Sequence, residues 1–170
     1  MRKRIYGSFT WILTVGAALL AGCLETATVL GPVEQASVDA RFIGDFKTGD
    51  DGGTDITVRN FNGREYYVEQ RGAGQETVRY GGHITVVKGA SFLHVRPLYD
   101  DGSMGKSHVI LRVDRVDDAK VNLRQLNAEF FADKPHDTTA TLRAIVEANV
   151  ENPAMYKPDG VSVLTRKSTE

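Results

Sequence analysis

Cys23 carries the only thiol of the 170-residue chain, and its position points to chemistry near the N-terminus. Three basic residues at positions 2–4 precede an apolar run over residues 9–20, which ends at the small residues Ala21 and Gly22. This order of basic, apolar and small residues is typical of a secretory signal. The apolar run is shorter than the roughly 20 residues that span a bilayer. With one cysteine, the chain cannot form an internal disulfide even in an oxidising compartment.

Residues 20–23 read Leu-Ala-Gly-Cys, a motif that resembles the lipobox of bacterial lipoprotein precursors at every position. The resemblance implies that diacylglycerol is attached to the sulfur of Cys23, that the chain is cleaved before Cys23, and that the new amino group is acylated by a fatty acid such as palmitate. Two or more acyl chains anchor a protein stably, at about 0.8 kcal/mol per buried CH₂. Leu24, rather than an aspartate, follows the cysteine, which implies the periplasmic face of the outer membrane if the host is Gram-negative. The alternative is an ordinary signal peptide, or an uncleaved membrane anchor, with an incidental cysteine.

This interpretation divides the chain into three parts. We expect a lipoprotein signal peptide at 1–22, a lipid-anchored tether at 23–37 and a single β-barrel-like domain at 38–170. Removal of residues 1–22 leaves 18 basic and 22 acidic residues, a formal net charge of −4. A mildly acidic body gives no electrostatic case for binding nucleic acid.

The first predicted hairpin follows a helical turn and a strand within residues 38–46. Its apolar residues alternate along two strands, Ile56 and Val58 on the first and Tyr66 and Val68 on the second. A three-residue loop, which pairs Asn60 with Arg64, puts all four side chains on one face, because a one-residue slip turns a strand inside out. Gly63 then occupies the loop position that needs a positive φ.

The later strands follow the same parity argument. An odd-length loop around Asp117-Asp118 brings together the apolar residues of a second hairpin, Val109, Leu111, Val113, Val121 and Leu123. Between the hairpins we predict a strand at 78–87, with a bend or break at Gly81-Gly82, and a strand at 91–98. Pro97 marks the end of the latter strand, since proline cannot donate to a sheet ladder.

Helical spacing appears only near the C-terminus, in Leu142, Ile145, Val146 and Asn149. It predicts a helix over 138–150, capped by Asp137 or Thr138 and ended by Asn152-Pro153. A last strand at 161–166 follows a turn at Asp159-Gly160. The predicted fold class is mainly β, a barrel of about eight antiparallel, sequentially connected strands with one C-terminal helix before the last strand. Closure would bring the last strand beside the first and remove exposed edges, with the helix over the barrel's side or one mouth.

This order of elements resembles a lipocalin-type barrel over most of residues 38–166. Gly44-Asp45-Phe46 opens the first strand where that family has Gly-x-Trp, and the family's late arginine, which stacks on the tryptophan, corresponds in position to Arg166 against Phe46. The chain departs from the family in that phenylalanine and in having no disulfide. The resemblance implies a cup that binds a small apolar molecule. An eight-stranded barrel has an interior that is either filled by side chains or able to hold one small ligand.

The other residues that could do chemistry lack a recognisable spacing. The four histidines, His83, His94, His108 and His136, do not follow a metal-ligand pattern, although His94 and His108 lie on neighbouring predicted strands. We interpret them as structural. The acidic glycine loops at 50–53 and 100–102 depart from the calcium-loop pattern and are interpreted as solvated turns. Gly72-Ala73-Gly74 lacks the third glycine of a phosphate cradle and is interpreted as a hairpin tip.

These observations leave Cys23 as the only predicted site residue, a lipid-attachment site. The sequence has no Gly-x-Ser-x-Gly motif, and we predict that the protein is not an enzyme and has no catalytic, cofactor-binding or metal-binding residue. Seven aromatic residues either line a pocket or pack in a core, and core packing is favoured: Tyr66, Tyr67, Tyr80, Phe92, Tyr99, Phe130 and Phe131.

Two functions fit this pattern. The first is a cell-envelope lipoprotein that binds a small apolar ligand or lipid inside its barrel. The alternative is a structural or interaction module that presents loops to an envelope protein partner. Both place the protein at the membrane through the lipid on Cys23.

The lipobox interpretation predicts the behaviour of Cys23→Ser. In bacteria supplied with radiolabelled palmitate, the wild-type band should be labelled, because lipid is attached at the sulfur. The variant should stay unlabelled and migrate as the uncleaved precursor. Thr26→Ser, three residues beyond the motif, should behave like the wild type, and an unlabelled wild-type band would contradict the interpretation.

Overall fold

Eight antiparallel strands close into a barrel in the computed structural model, which describes residues 23–49 and 53–168. The expected signal peptide at 1–22, the Asp50-Asp51-Gly52 part of a loop, and residues 169–170 lie outside the described residues. The barrel strands are β2 (Gly44–Thr48), β3 (Asp55–Asn60), β4 (Tyr66–Arg71), β5 (Val78–Val87), β6 (Ala90–Pro97), β7 (His108–Val116), β8 (Lys120–Leu126) and β9 (Tyr156–Arg166). Each pairs with the next along the chain, and β9 pairs with both β8 and β2. The predicted fold class is confirmed.

The shorter elements are additional to the eight barrel strands. β1 (Glu25–Thr26) pairs with the start of β7. Two helices, α1 (Ala128–Phe131) and α2 (Thr139–Asn149), connect β8 to β9, and 3₁₀ turns occupy Val33–Gln35, Ala40–Phe42 and Pro153–Met155. Among the described residues, none of the helices has the length and apolar character needed to cross a membrane.

The β3–β4 hairpin keeps the predicted faces but not the predicted register. Asn60 lies opposite Tyr66, not Arg64, so the loop holds five residues rather than three. The wider loop is stabilised by side-chain acceptors, since Asn62 Oδ1 accepts from the amides of Arg64 and Glu65 at 3.0 and 2.9 Å. A shift of two residues preserves the parity of both strands, so their apolar residues still share the inner face. Gly63 has the expected positive φ, 82°.

The β7–β8 hairpin reaches the predicted arrangement by a different route. Its loop has an even number of residues, because Val116 lies opposite Val121. An even loop alone would put the apolar faces on opposite sides, but a β-bulge at Asp114 shifts the register by one residue, and Val113 lies opposite Leu123. The expected odd-length loop was therefore wrong. The extra residue of the bulge restores the alternation that brings the apolar side chains of both strands to one face.

Of the predicted bend or break at Gly81-Gly82, a break is absent, because β5 continues through both glycines. The two glycines allow close approach instead. A Cβ on Gly82 would lie 2.7 Å from the His94 backbone oxygen, and one on Gly81 would lie 2.8 Å from Cε of Met104. The predicted turn at Asp159-Gly160 was also wrong, because both residues belong to β9.

Helix α2 covers the side of the barrel. Thr138 caps it, with its hydroxyl accepting from the Thr141 amide at 3.2 Å, as predicted for this position. Its buried residues Leu142 and Val146 pack on the outer faces of the strands, in an outer core that is separate from the barrel interior. The outer core contains Leu24, Leu30, Val87, Phe92, Ile110, Leu126, Phe131, Leu142, Val146, Met155 and Tyr156.

Residues 23–36, here called the N-terminal strap, pack on the barrel. Leu24 and Leu30 are buried in the outer core, and the Leu24 amide donates to the Leu126 oxygen at 3.1 Å. The Arg143 guanidinium of α2 donates to the Leu30 oxygen at 3.1 Å. Burial of these two leucines contributes about 1.5–3 kcal/mol each to the packing of the strap, and the two hydrogen bonds add to it.

Arg166 links the first and last strands of the barrel, β2 and β9. It lies opposite Phe46 in the β2–β9 pairing, and its guanidinium carbon is 4.7 Å from the centre of the Phe46 ring. The same guanidinium donates to the backbone oxygens of Ile43, Arg41 and Asp118 at 2.8, 2.7 and 2.8 Å. The contact expected between Arg166 and Phe46 is present.

Replacement of Arg166 should therefore weaken the fold. We expect Arg166→Ala to lower the free energy of unfolding by about 2–3 kcal/mol, because three charge-assisted hydrogen bonds and a cation–π contact are lost. Urea unfolding followed by circular dichroism measures the change. Arg64→Ala, in the exposed β3–β4 loop, is the matched control and should cost less than about 0.5 kcal/mol. Equal loss in the two variants would contradict the proposed role of Arg166.

Candidate functional site

The barrel interior contains a partly open cavity of about 240 Å³. Inward-facing side chains of the strands form its wall, and most are apolar. The apolar lining comprises Phe42, Ile56, Val58, Tyr66, Val68, Tyr80, Leu93, Val95, Pro97, Val109, Leu111, Leu123 and Leu164. An apolar cavity of about 150 Å³ takes up a molecule the size of benzene, so this one has room for roughly ten non-hydrogen atoms.

One end of the cavity is closed by the 3₁₀ turn Ala40–Phe42. The ring of Phe42 lies 5.7 Å from that of Tyr66, and both are buried. The Tyr66 hydroxyl accepts from the Asp39 amide at 2.6 Å, which fixes the turn across the barrel. Burial raises the pKa of Tyr66, so the phenol stays neutral.

Polar side chains gather toward the other end, where the barrel carries the loops at 72–77 and 98–107. Gln70, at the end of β4, and Ser107, just before β7, line the cavity here. Glu25 of β1 also reaches it and is the one carboxylate among the described lining residues, which include no Lys, Arg or His. The cavity therefore has an apolar body and a polar rim of slightly negative character.

A larger hollow of about 380 Å³ lies beside β2–β4 and the C-terminal residues. It is open and lined by charged side chains that already have partners. Asp45 pairs with Arg59 at 2.9 Å, and Asp55 pairs with Lys167 at 2.7 Å. Exposed ion pairs of this kind are ordinary surface features, whereas enclosed apolar cavities with a few polar groups are the usual ligand sites. The cavity inside the barrel is therefore the better candidate.

Three of the four histidines meet on the outer face of the barrel. His83, His94 and His108 lie on β5, β6 and β7. The rings of His83 and His94 stack with centres 4.6 Å apart, and the His108 ring lies edge-on at 6.2 and 6.1 Å from them. The predicted proximity of His94 and His108 is thus present, whereas the place of His83 was missed. The signal for it was the two-residue turn Lys88-Gly89, whose positive φ angles set a register with His83 opposite His94.

This histidine cluster is buried. All three side chains are among the buried polar residues, and His94 is fully buried. Within the described part of the chain, three buried ring nitrogens of the cluster have no hydrogen-bond partner. They are both nitrogens of His94 and Nδ1 of His108. His83 Nε2 lies 3.3 Å from the Gly31 oxygen of the strap, to which it donates.

Burial keeps the histidine cluster neutral. It lowers the pKa of His83, and it holds the pKa of His94 well below the ordinary value, with the charges of the other two rings adding to the effect. Burial and the neighbouring Arg96 lower the pKa of His108 to about 4. No group of three His, Cys, Asp or Glu side chains in residues 23–49 and 53–168 has an arrangement that could hold a metal ion.

The other residues singled out in the sequence lie apart from both features. Cys23 is buried beside Asn127, with which it forms an isolated β-bridge, and burial raises the pKa of its thiol. Asp100 pairs with Arg79 at 2.5 Å, and Asp101 accepts from the Ser103 hydroxyl at 2.6 Å. These bonds are those of a solvated turn.

His136 and the aromatic residues also have ordinary structural surroundings. His136 lies between α1 and α2, where its Nδ1 is 2.7 Å from the Lys134 oxygen. Of the aromatic residues, Tyr66 and Tyr80 line the cavity, Phe92 and Phe131 pack in the outer core, and Tyr99 is exposed.

The geometry therefore offers a partly open apolar space with a polar rim on the inside of the barrel and a buried histidine cluster on the outside. The first can enclose a small apolar molecule. The second changes charge only at a large cost in solvation. No protein-family model, curated protein or solved structure matches this chain.

Proposed function

We propose that this protein is a lipid-anchored lipoprotein of the bacterial envelope whose barrel binds a small apolar ligand. The observation that carries the proposal is the cavity of about 240 Å³ with its mostly apolar wall. Burial of apolar surface is the main favourable term in such binding, at about 25 cal/mol per Å². The resemblance to lipocalin-type barrels supports the same function, since the Arg166–Phe46 contact stands where that family has its arginine and tryptophan.

The lining also favours a class of ligand. A fatty acid would bring its carboxylate into a site without a described cation and with Glu25 at the rim. An unpaired charge pays a large desolvation cost in such a place. An uncharged molecule with one polar end, such as an alcohol, meets the hydroxyl and amide groups of Ser107 and Gln70 without that cost. We therefore propose a neutral ligand of roughly ten non-hydrogen atoms.

The lipid anchor completes the proposed function. The strap lies along the barrel with Cys23 two residues from Glu25, which lines the cavity. Acyl chains on Cys23 would thus hold the rim of the barrel near the bilayer. A neutral apolar molecule in the membrane could then reach the cavity over a short distance.

Filling the cavity should abolish binding. We expect Val68→Trp, on the inner face of β4, to reduce binding of radiolabelled octanol by the full chain in detergent at least tenfold, because the larger ring occupies the space. Val163→Trp is the matched control on the outward face of β9, where the side chain is 39% exposed, and should bind like the wild type. Equal binding by all three proteins would show that octanol does not occupy the barrel and would favour the interaction module instead.

The charge of the ligand's polar end is a second test. Octanol should bind at least tenfold more tightly than octanoate at pH 7.5, because octanoate carries its charge into a lining without a described cation. Glu25→Gln should reduce the preference for octanol over octanoate, since it removes the negative charge at the rim that repels octanoate. Competition against radiolabelled octanol measures both affinities. Tighter binding of octanoate by the wild type would overturn the neutral-ligand class without affecting the Val68→Trp result.

A further inference from the structure

The histidine cluster lies under the N-terminal strap. His83 donates to the Gly31 oxygen at 3.3 Å, and His108 lies opposite Thr26 in the β1–β7 pairing. His94 stacks on His83 and is fully buried. Two of the three histidines thus contact the strap directly, and the third is packed against both of them.

The strap fits closely in this position. A Cβ on Gly31 would lie 2.9 Å from Cγ2 of Thr85, so a side chain at residue 31 would have to displace Thr85 or the strap. Leu30 is fully buried beside it. Strand pairing nevertheless holds the strap less firmly than it holds the strands that carry the histidines. β1 pairs with β7 over two residues, whereas β5 and β6 pair over eight.

The charged groups around the histidine cluster come from four elements. Glu65, at the end of the β3–β4 loop, and Arg96 of β6 form an ion pair at 3.4 Å, so their effects on the cluster oppose each other. Glu34 of the strap faces His83, and Arg143 of α2 is bound to the Leu30 oxygen and to Glu147. These charges are largely compensated and would not balance a second positive charge among the three rings.

We propose that His83, His94 and His108 form an acid-sensitive latch, whose protonation releases the N-terminal strap from the barrel. The first proton can be tolerated on His83, because its Nε2 continues to donate to Gly31. A second proton must enter a ring at most 6.2 Å from the first in a buried site, where both desolvation and repulsion oppose it. Departure of the strap hydrates the rings, which lowers both penalties while leaving the barrel pairings intact.

The pH window follows from the direction of the shifts. A buried histidine with a lowered pKa takes up its proton more readily when the strap is open, so the closed strap is favoured at neutral pH and loses stability as the pH falls below 6.5. The loss continues to the pKa of about 4 of His108 in the closed state. For one such group with an ordinary pKa in the open state, the open-to-closed ratio rises roughly 30-fold between pH 7.5 and pH 5.

Release of the strap would also affect the cavity. Glu25, which lines the cavity, belongs to the strap and leaves with it. Acid should then widen the rim and weaken octanol binding. This consequence, unlike the latch itself, rests on the proposed ligand-binding function.

Hydrogen exchange of the full chain in detergent tests the latch without any ligand. Peptides covering residues 24–36 are followed by mass spectrometry at pH 7.5, 6.5 and 5, with labelling times scaled for the intrinsic pH dependence of exchange. We expect protection of the strap to fall at least tenfold between pH 7.5 and pH 5, while protection of β3 and β4 stays within threefold.

Variants separate the latch from general acid instability. His94→Phe replaces the ring without partners by an apolar ring. In this variant, protection of the strap from exchange should fall less than threefold between pH 7.5 and pH 5. If His94→Phe does not fold, His108→Gln replaces it in the test. His136→Gln, outside the histidine cluster, should keep the wild-type loss. Gly31→Val should open the strap at every pH by contact with Thr85.

Three outcomes would overturn the latch. They are equal strap protection at pH 7.5 and pH 5, parallel loss of protection in β3 and β4, and a wild-type loss retained by both His94→Phe and His108→Gln. A strap that opens with acid in a chain that does not bind octanol would leave the latch standing and overturn only the ligand.

Discussion

Closure of the barrel between β2 and β9 is the constraint on which the rest of this structure depends. Arg166 holds the two strands together by lying over Phe46 and by donating to backbone oxygens from three separate residues, Arg41, Ile43 and Asp118. Once the sheet is closed, every strand has one face toward the cavity and one toward the outside. Each side chain's role then follows from its parity along the strand.

The outward faces of β5, β6 and β7 explain why the barrel needs additional elements. They carry Val87, Phe92 and Ile110, which would be exposed in a bare barrel. Helix α2 and the N-terminal strap cover them and form the outer core. The barrel interior can therefore keep an unfilled cavity, because much of the chain's hydrophobic stabilisation comes from the second core outside the wall.

The histidine cluster is the exception to the apolar character of this outer layer. A buried polar group without partners costs free energy that an apolar side chain of the same size would not. His94 carries this cost two residues after Phe92, a buried aromatic hydrocarbon on the same face of β6. The histidine cluster lies beneath a segment whose strand pairs over only two residues. Charge on the rings would therefore oppose a weakly paired contact, the one that buries them.

Local patterns in the sequence determined the strands, the helix and the faces of each, because alternation and helical spacing depend on neighbouring residues. They also limited the helix cap to Asp137 or Thr138, whereas the contact of Arg166 with Phe46 was expected only from the resemblance to lipocalin-type barrels. Only the tertiary structure decided the two-residue shift at Asn60, the bulge at Asp114 and the continuity of β5, since each depends on what lies across the sheet. The packing of the strap was likewise beyond the sequence, because burial of Leu30 joins residues that are distant along the chain. The meeting of His83 with His94 was missed because it depends on the register that the Lys88-Gly89 turn sets across β5 and β6.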